Sequence, residues 1–257
     1  MKEPKAIVLH AAGTNRDVDA YYALKAAGAD PRIIHVNALR KERSLLARSA
    51  ILVIPGGFSY ADAMGAGTLF ALDIASYFKE EVSQFVAEGK AVLGICNGFQ
   101  TLVKAGILPG FGGETRWATL TDNAEGRFEC RWVTLAADES PCVWTKEVVF
   151  PVSCPVAHGE GRFAVSSLEK LTQLEEQGLI ALRYVDEAGN PAQGRYPINP
   201  NGSPLDIAGI CNPAGNVLGL MPHPENNIYK DRPVYGGGES GSGLSIFAAG
   251  VRYARAL

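Results

Sequence analysis

Short apolar runs alternate with segments of helical periodicity in the N-terminal part of the chain. The runs predicted to be strands are residues 6–9 (AIVL), 32–36 (RIIHV), 51–54 (ILVI) and 91–95 (AVLGI). Runs such as ILVI, with no polar alternation, are typical of strands covered on both faces. Apolar side chains at helical spacing predict helices at residues 17–27, near 69–88 and at 99–105, and residues 44–47 are expected to form a short helix or a turn. This alternation predicts an α/β fold in which helices cover a parallel sheet.

The pattern changes beyond Gly110. Longer or isolated strands are predicted at residues 128–135, 147–152, 180–185, 207–211 and 217–220, and helices at 168–177 and 245–255. Turn signals such as Gly189-Asn190-Pro191 join the strands, which predicts an antiparallel or mixed portion. No linker-like composition separates the two halves. We therefore expect one domain over residues 1–257.

Composition and charge exclude several functions. The chain has 24 Lys and Arg against 27 Asp and Glu, a net charge of −3, so no basic surface for nucleic acid or an acidic membrane is expected. Uncharged stretches are too short to cross a bilayer, and the N-terminus lacks the apolar core of a signal peptide. The expected location is the cytoplasm. Five cysteines without a CxxC pair predict neither a disulfide framework nor a metal site.

Cys96 is the first candidate for chemistry. It follows the predicted strand 91–95 directly and has Gly94 and Gly98 two positions before and after it. A nucleophile at a tight strand-to-helix turn needs small residues at those places, and a helix N-terminus favours a thiolate. A buried structural cysteine is the alternative interpretation. The flanking glycines favour a nucleophile.

A thiol nucleophile needs a base, and His223 is the candidate. His10 stands at the end of the first predicted strand and His35 lies inside the second, where structural roles are expected. His223 follows the strand 217–220, and Glu225, two residues later, falls on the same side of an extended segment. The carboxylate of Glu225 can therefore orient the imidazole, which predicts a Cys96–His223–Glu225 triad.

Acyl transfer also requires donors for an oxyanion. The backbone N–H of Asn97, at the start of the predicted helix, is one candidate. Pro55-Gly56-Gly57 ends a predicted strand, and the N–H of Gly57 is the other candidate.

Four motifs together resemble a known family. Gly94-Ile95-Cys96-Asn97-Gly98-Phe99-Gln100, Pro55-Gly56-Gly57 and His223-Pro224-Glu225 resemble the class I, or triad, glutamine amidotransferases. With Ala157-His158-Gly159-Glu160-Gly161, they are similar to the glutaminase components of phosphoribosylformylglycinamidine synthases, of the PurQ type, in purine biosynthesis. The segment Ala61-Asp62-Ala63-Met64-Gly65 resembles instead the glutaminase end of the large fused synthetases.

The resemblance implies a fold and site roles. The fold is a flavodoxin-like three-layer sandwich, with a largely parallel central sheet and an antiparallel or mixed addition. Cys96 would attack the side-chain amide of glutamine, with Gly57 and Asn97 as oxyanion donors. Gln100 and the His158-Gly159 backbone would line the glutamine pocket. The ammonia would pass to a large synthetase subunit that binds ATP and Mg²⁺, with a small bridging subunit as a further possible partner. No cofactor is expected in this chain.

Two other functions stay open. The chain could be a catalytically silent assembly subunit of the same complex, or another cysteine hydrolase on a similar fold. The glycine-rich residues 236–243 predict a mobile surface loop, because glycine is costly to hold in one conformation. We expect low glutaminase activity in the isolated chain and higher activity with its partner.

Overall fold

A computed structural model describes residues 3–110, 116–232, 234 and 238–257. The strands are β1 Lys5–His10, β2 Asp30–His35, β3 Ile51–Ile54, β4 Ala91–Ile95, β5 Ala118–Thr121, β6 Glu129–Ala137, β7 Val152–His158, β8 Arg162–Val165, β9 Ile180–Val185, β10 Ile207–Cys211 and β11 Val217–Leu220. The helices are α1 Asp17–Ala26, α2 Val36–Lys41, α3 Ser44–Ala47, α4 Thr68–Tyr77, α5 Lys79–Ala87, α6 Asn97–Lys104, α7 Leu168–Glu176 and α8 Leu244–Arg255. Within these ranges, no helix is long and apolar enough to cross a membrane.

Nine of the described strands form one sheet in the order β2-β1-β3-β4-β11-β10-β9-β6-β7. The first five in this order are parallel to one another. Every residue of β3, β4 and β11 is buried. Strands covered on both faces must be apolar throughout, which explains the ILVI and AVLGI runs.

The other four strands extend the sheet by antiparallel pairing, from β10 to β7 at the edge. Outside this sheet, β5 and β8 form a two-stranded antiparallel pair. The predicted mixture of a parallel half and an antiparallel half is confirmed.

Helices cover both faces of the parallel half. The chain moves from β1 to β2 through α1, and in the opposite direction along the sheet from β3 to β4 through α4 and α5. Because such crossovers are right-handed, these helices fall on opposite faces. Helix α8 packs against α1, and α6 packs against α4. The result is the expected three-layer α/β sandwich.

The structure differs from the sequence predictions at four places. The strand expected at residues 147–152 is irregular up to Pro151, and only Val152 belongs to a strand, β7; Glu147 has a φ of 60° and Pro151 has no N–H for a strand ladder. The single helix near residues 69–88 is two helices, because Phe78 leaves the helical conformation with a φ of −131°. The strand expected at 32–36 is Asp30–His35, because α2 begins at Val36. The four-residue strands β5 and β8 were missed because so short a pattern gives no clear period.

Candidate active site

The carboxyl ends of three neighbouring parallel strands gather the main candidates. Strand β4 lies between β3 and β11, and Gly94 is in register with both Ile54 and Gly219. The segments that follow these strands therefore emerge side by side, and they carry Gly57, Cys96 and His223. A ligand site is expected at this edge of a parallel sheet.

Cys96 occupies a strained turn between β4 and α6. Its φ is 51° and its ψ is −105°, which is rare for a residue with a side chain. A Cβ on Gly98 would lie 1.8 Å from the Ile54 carbonyl oxygen, and one on Gly94 would lie 2.5 Å from Leu102 Cδ1. The two glycines are thus required for α6 to pack this closely on the strands, as the sequence predicted.

His223 is fixed from two sides. Its backbone N–H donates to the Pro155 carbonyl oxygen at 2.8 Å, and its Nδ1 lies 2.7 Å from Glu225 Oε1. A Cβ on Gly56 would lie 2.7 Å from His223 Cε1 and 3.4 Å from Cys96 Cβ, so the imidazole and the cysteine meet at this glycine. The structure brings the three predicted triad residues together in one buried cluster.

The charges of this cluster favour a protonated imidazole. Burial alone lowers the pKa of His223, but the charges of Glu225 and Cys96 outweigh burial and raise the pKa to about 10. His223 Nε2 has no hydrogen-bond partner within the described residues, and Glu225 holds the other ring nitrogen. Nε2 is therefore the nitrogen available to exchange a proton with a group bound at Cys96. Such a pair can perform nucleophilic acyl transfer.

One oxyanion candidate, Gly57, follows the neighbouring strand β3, and the other, Asn97, directly follows Cys96. Asn97 is the first residue of α6, whose first N–H groups have no carbonyl partner within the helix. Gly57 has a φ of 123° and forms a β-bridge with Thr14; a Cβ there would lie 2.7 Å from the Asn15 nitrogen. The turn after β1 therefore holds Gly57 in place.

Gln100, on the first turn of α6, lies close to the segment that contains His158 and Gly159. Gln100 Nε2 donates to the Glu160 carbonyl oxygen at 2.6 Å, and the Cys96 thiol lies 3.7 Å from the Ala157 carbonyl oxygen. The end of β7 therefore covers the start of α6. All predicted site residues lie in this one region.

His158 is a neutral, buried part of this segment. Burial, aided by the charge of His223, lowers the pKa of His158 to about 4. Asn123 Nδ2 donates to the carbonyl oxygens of Arg127 and His158, so Asn123 Oδ1 accepts, and His158 Nδ1 donates to it over 3.0 Å. His158 Nδ1 therefore carries the hydrogen.

Sequence reasoning missed three polar residues beside the site. Asn123 fastens the turn around His158 and accepts the Gly161 N–H at 2.9 Å. Asp62 Oδ1 accepts from Asn97 Nδ2 at 2.8 Å, while burial and the charge of Glu160 raise the pKa of Asp62. Glu160 accepts the Ala66 N–H at 3.1 Å. Asp62 and Glu160 stood within recognised motifs, but a lone Asn123 gives no signal in a sequence.

A separate cavity of about 570 Å³ lies on the antiparallel half, between β6 and the segment after β9. Its lining includes Arg131, Trp132, Asp186 and Val234, and none of the predicted site residues. Among the residues that the structure describes, no group of three or more His, Cys, Asp or Glu side chains is arranged to hold a metal ion.

The remaining cysteines and the glycine-rich segment lie outside the cluster. All five cysteines belong to the described residues and are free thiols, and Cys130 alone among them is exposed. Gly236 and Gly237 lie outside the described residues. In the rest of the predicted loop, Asn227 Oδ1 accepts the Gly241 N–H at 2.8 Å, and Asn227 Nδ2 donates to the Glu239 carbonyl oxygen at 2.9 Å. These bonds tie residues 238–243 to the body of the protein.

Comparison with known proteins agrees with this geometry. Residues 3–254 match the model of the CobB/CobQ-like glutamine amidotransferase domain. The subunit PurQ of phosphoribosylformylglycinamidine synthase from Treponema denticola is 58% identical over 240 residues, 88% of this chain and 89% of the relative. The same subunit from Dehalococcoides mccartyi is 40% identical over 99% of both chains. A chain in the structure of PurLQS from Thermotoga maritima superposes with a TM-score of 0.74 at 30% identity, covering 98% of this chain and 99% of that one.

Proposed function

The chain belongs to the CobB/CobQ-like glutamine amidotransferase family, and we propose that it is the glutamine-hydrolysing subunit of a phosphoribosylformylglycinamidine synthase. Near full-length similarity to subunits of that name supports the assignment. It releases ammonia from glutamine for a synthetase that acts in purine biosynthesis.

The observation that carries the chemistry is the contact of Cys96, His223 and Glu225. In the proposed reaction, the Cys96 thiolate attacks the side-chain amide carbon of glutamine. His223 donates its proton to the leaving nitrogen, so ammonia departs and a glutamyl thioester remains. Neutral His223 then accepts a proton from water as the water oxygen attacks the thioester carbon. Glutamate leaves, and the thiolate and imidazolium are restored.

The surrounding residues have supporting roles in this proposal. The N–H groups of Gly57 and Asn97 stabilise the oxyanion of each tetrahedral intermediate. Gln100, with the backbone of His158 and Gly159, lines the glutamine pocket. Glu225 holds the imidazole in one orientation and favours its protonated form, which the raised pKa of His223 supports.

The finer assignment of partners is also part of the proposal. The large synthetase subunit receives the ammonia and binds ATP and Mg²⁺, and a small bridging subunit joins the assembly. The Thermotoga maritima structure, whose name combines three components, supports this composition. Two expectations stay predictions: that this chain has no cofactor of its own, and that it works in the cytoplasm.

The test is ammonia release from glutamine by the purified chain, with and without its synthetase. We expect Cys96→Ala to lower the rate at least about 1000-fold in both conditions, because it removes the nucleophile. Cys130→Ala, which changes an exposed thiol outside the site, is the matched control and keeps the wild-type rate. Glutamine hydrolysis that survives in Cys96→Ala would contradict the mechanism.

The same preparation distinguishes the silent assembly subunit. A glutamine analogue with an electrophilic group in place of the amide will label Cys96 stoichiometrically in the active enzyme. An unreactive Cys96 in the assembled complex would favour the silent subunit instead. We also expect the wild-type rate to rise when the synthetase is added, since hydrolysis without a partner wastes glutamine.

A further inference from the structure

A left-handed turn of residues with side chains lies beside the catalytic cysteine. Tyr60, Ala61 and Asp62 have φ values of 57°, 55° and 52° in succession. Residues other than glycine rarely adopt this conformation, and a run of three is costly. Such strain persists only where surrounding contacts enforce it, and it is common at functional sites.

Both ends of this turn are anchored to the body of the protein. At the first end, the Tyr60 N–H donates to the Ala12 carbonyl oxygen at 2.6 Å, and Ser59 Oγ lies 2.8 Å from Thr14 Oγ1. Beyond the other end, Lys104 Nζ donates to the Ala66 carbonyl oxygen at 2.6 Å. These contacts hold the turn in its left-handed form.

The turn directs one carboxylate at the residue next to Cys96. Asp62 Oδ1 accepts from Asn97 Nδ2 at 2.8 Å, and the other acceptor of that amide group, Gln100 Oε1, is 3.4 Å away. Asn97 is 1% exposed, and its Oδ1 has no hydrogen-bond partner in the described part of the chain. Asp62 is therefore the principal anchor of the Asn97 side chain.

We propose that Asp62 is a positioning residue for glutamine hydrolysis, and that the strained turn exists to place its carboxylate on Asn97. The proposal rests on the proposed function, in which the Asn97 N–H is an oxyanion donor. By holding the side chain of Asn97, Asp62 fixes the backbone of the first residue of α6. The same amide group contacts Gln100, so the hydrogen bond also steadies the wall of the glutamine pocket.

The first test compares Asp62→Ala with Asp62→Asn in the chain assembled with its synthetase. Loss of an oxyanion donor's alignment affects the transition state, so Asp62→Ala lowers kcat about tenfold or more and changes KM less than about threefold. Asp62→Asn retains an oxygen that accepts the same hydrogen bond and keeps kcat within about threefold of the wild type. Asp19→Ala, which removes a half-exposed ion pair with Arg16 at the start of α1, is the control.

A second test exchanges the two side chains and does not depend on Asp62→Ala folding well. Asn97→Asp places a carboxylate against Asp62 and lowers kcat by repulsion. Adding Asp62→Asn to that variant restores a hydrogen bond in the opposite direction, so kcat recovers about fivefold or more over Asn97→Asp alone. Melting temperatures measured for every variant show whether folding accounts for a loss.

The outcomes separate this inference from the proposed function. Wild-type kcat in Asp62→Ala, equal losses in Asp62→Asn and Asp62→Ala, or an exchange without recovery would each overturn the role of Asp62. In all three cases the wild-type chain still hydrolyses glutamine, and the proposed function stands. A wild-type complex that does not hydrolyse glutamine contradicts the proposed function itself.

Discussion

Two walls of the candidate active site differ in where they use glycine. The strand-end wall, formed by Gly56, Gly94, Cys96, Gly98 and His223, uses glycines wherever backbone and side chains approach closely. The loop wall, residues 59–65, has non-glycine residues at positive φ in its left-handed turn. In the strand-end wall glycine thus occurs where space is short, whereas in the loop wall residues 60–62 carry side chains although their backbone conformation is demanding.

The two walls differ in what opposes a substitution: steric overlap in the first, and backbone strain in the second. At Gly98 in the strand-end wall, the obstacle to a side chain is the Ile54 backbone, which belongs to a buried strand. At the loop wall, Ala61 is exposed and the cost is conformational, so anchoring contacts can offset it. Changes at the first wall should therefore be severe, and changes at the second should be graded.

The largest effect is expected for Gly98→Ala at the strand-end wall. The added Cβ would lie 1.8 Å from the Ile54 carbonyl oxygen and 2.6 Å from its carbon. Because backbone has to shift, we expect a loss of at least about 3 kcal/mol in the free energy of unfolding. Denaturant unfolding measures it, and a drop in soluble protein would accompany it.

Gly189→Ala is the control for that substitution. Gly189 has a φ of 84° and no atom within 4 Å of an added Cβ, so only backbone strain opposes the change. A loss of about 1 kcal/mol is expected. Equal losses in the two variants would show that close packing does not distinguish the strand-end wall.

The next largest effect is expected for the Glu225 carboxylate, which lies against His223 Nδ1. Glu225→Gln removes the carboxylate that raises the pKa of His223 and orients its ring. We expect kcat/KM at neutral pH to fall about 100-fold. The alkaline limb of the pH–rate profile should also move to lower pH, because the imidazolium loses its proton more readily. An unchanged profile would contradict the role of Glu225.

Glu225→Gln should also change how the free energy of unfolding depends on pH. The folded state raises the pKa of His223 from 6.5 to about 10, so protonated His223 stabilises it fully below pH 6.5. That stabilisation is lost as the pH rises through about 10. The difference in unfolding free energy between the wild type and Glu225→Gln should therefore shrink between neutral pH and pH 10. Glu176→Gln, exposed on α7, should show no such dependence.

The strand-end wall could be predicted from the sequence because its determinants are local. Gly94 and Gly98 flank Cys96, and apolar runs mark the buried strands before Gly57 and Cys96. Parallel strands end at one edge, so each candidate could be assigned to that edge from its own short segment. The carboxyl ends of β3, β4 and β11 do meet there.

The contacts of the loop wall could not be predicted in this way. The bond from Asn97 to Asp62 spans 35 residues, and the bond from Gln100 to Glu160 spans 60. The positive φ of Tyr60 and Ala61 has no sequence signal, since glycine is the residue that usually marks it. Such contacts depend on tertiary structure that no local pattern encodes.

The smallest effect, and the closest check on the loop wall, is expected for Ala61→Gly. Ala61 is exposed with a φ of 55°, so glycine would remove left-handed strain without removing a packed side chain. Glycine also gains freedom in the unfolded chain, which offsets part of the benefit. We expect a net stabilisation of up to about 1 kcal/mol, or about 2–4 °C in melting temperature.

Ala63→Gly is the control for this substitution. Ala63 is exposed in the same loop at a φ of −55°, so there is no such strain to relieve, and the variant should be destabilised by about 0.5–1 kcal/mol. If the unfolding free energy rises in Ala61→Gly and falls in Ala63→Gly, the left-handed turn carries strain. If it falls in both variants, the left-handed conformation costs little, and the two walls differ in packing alone.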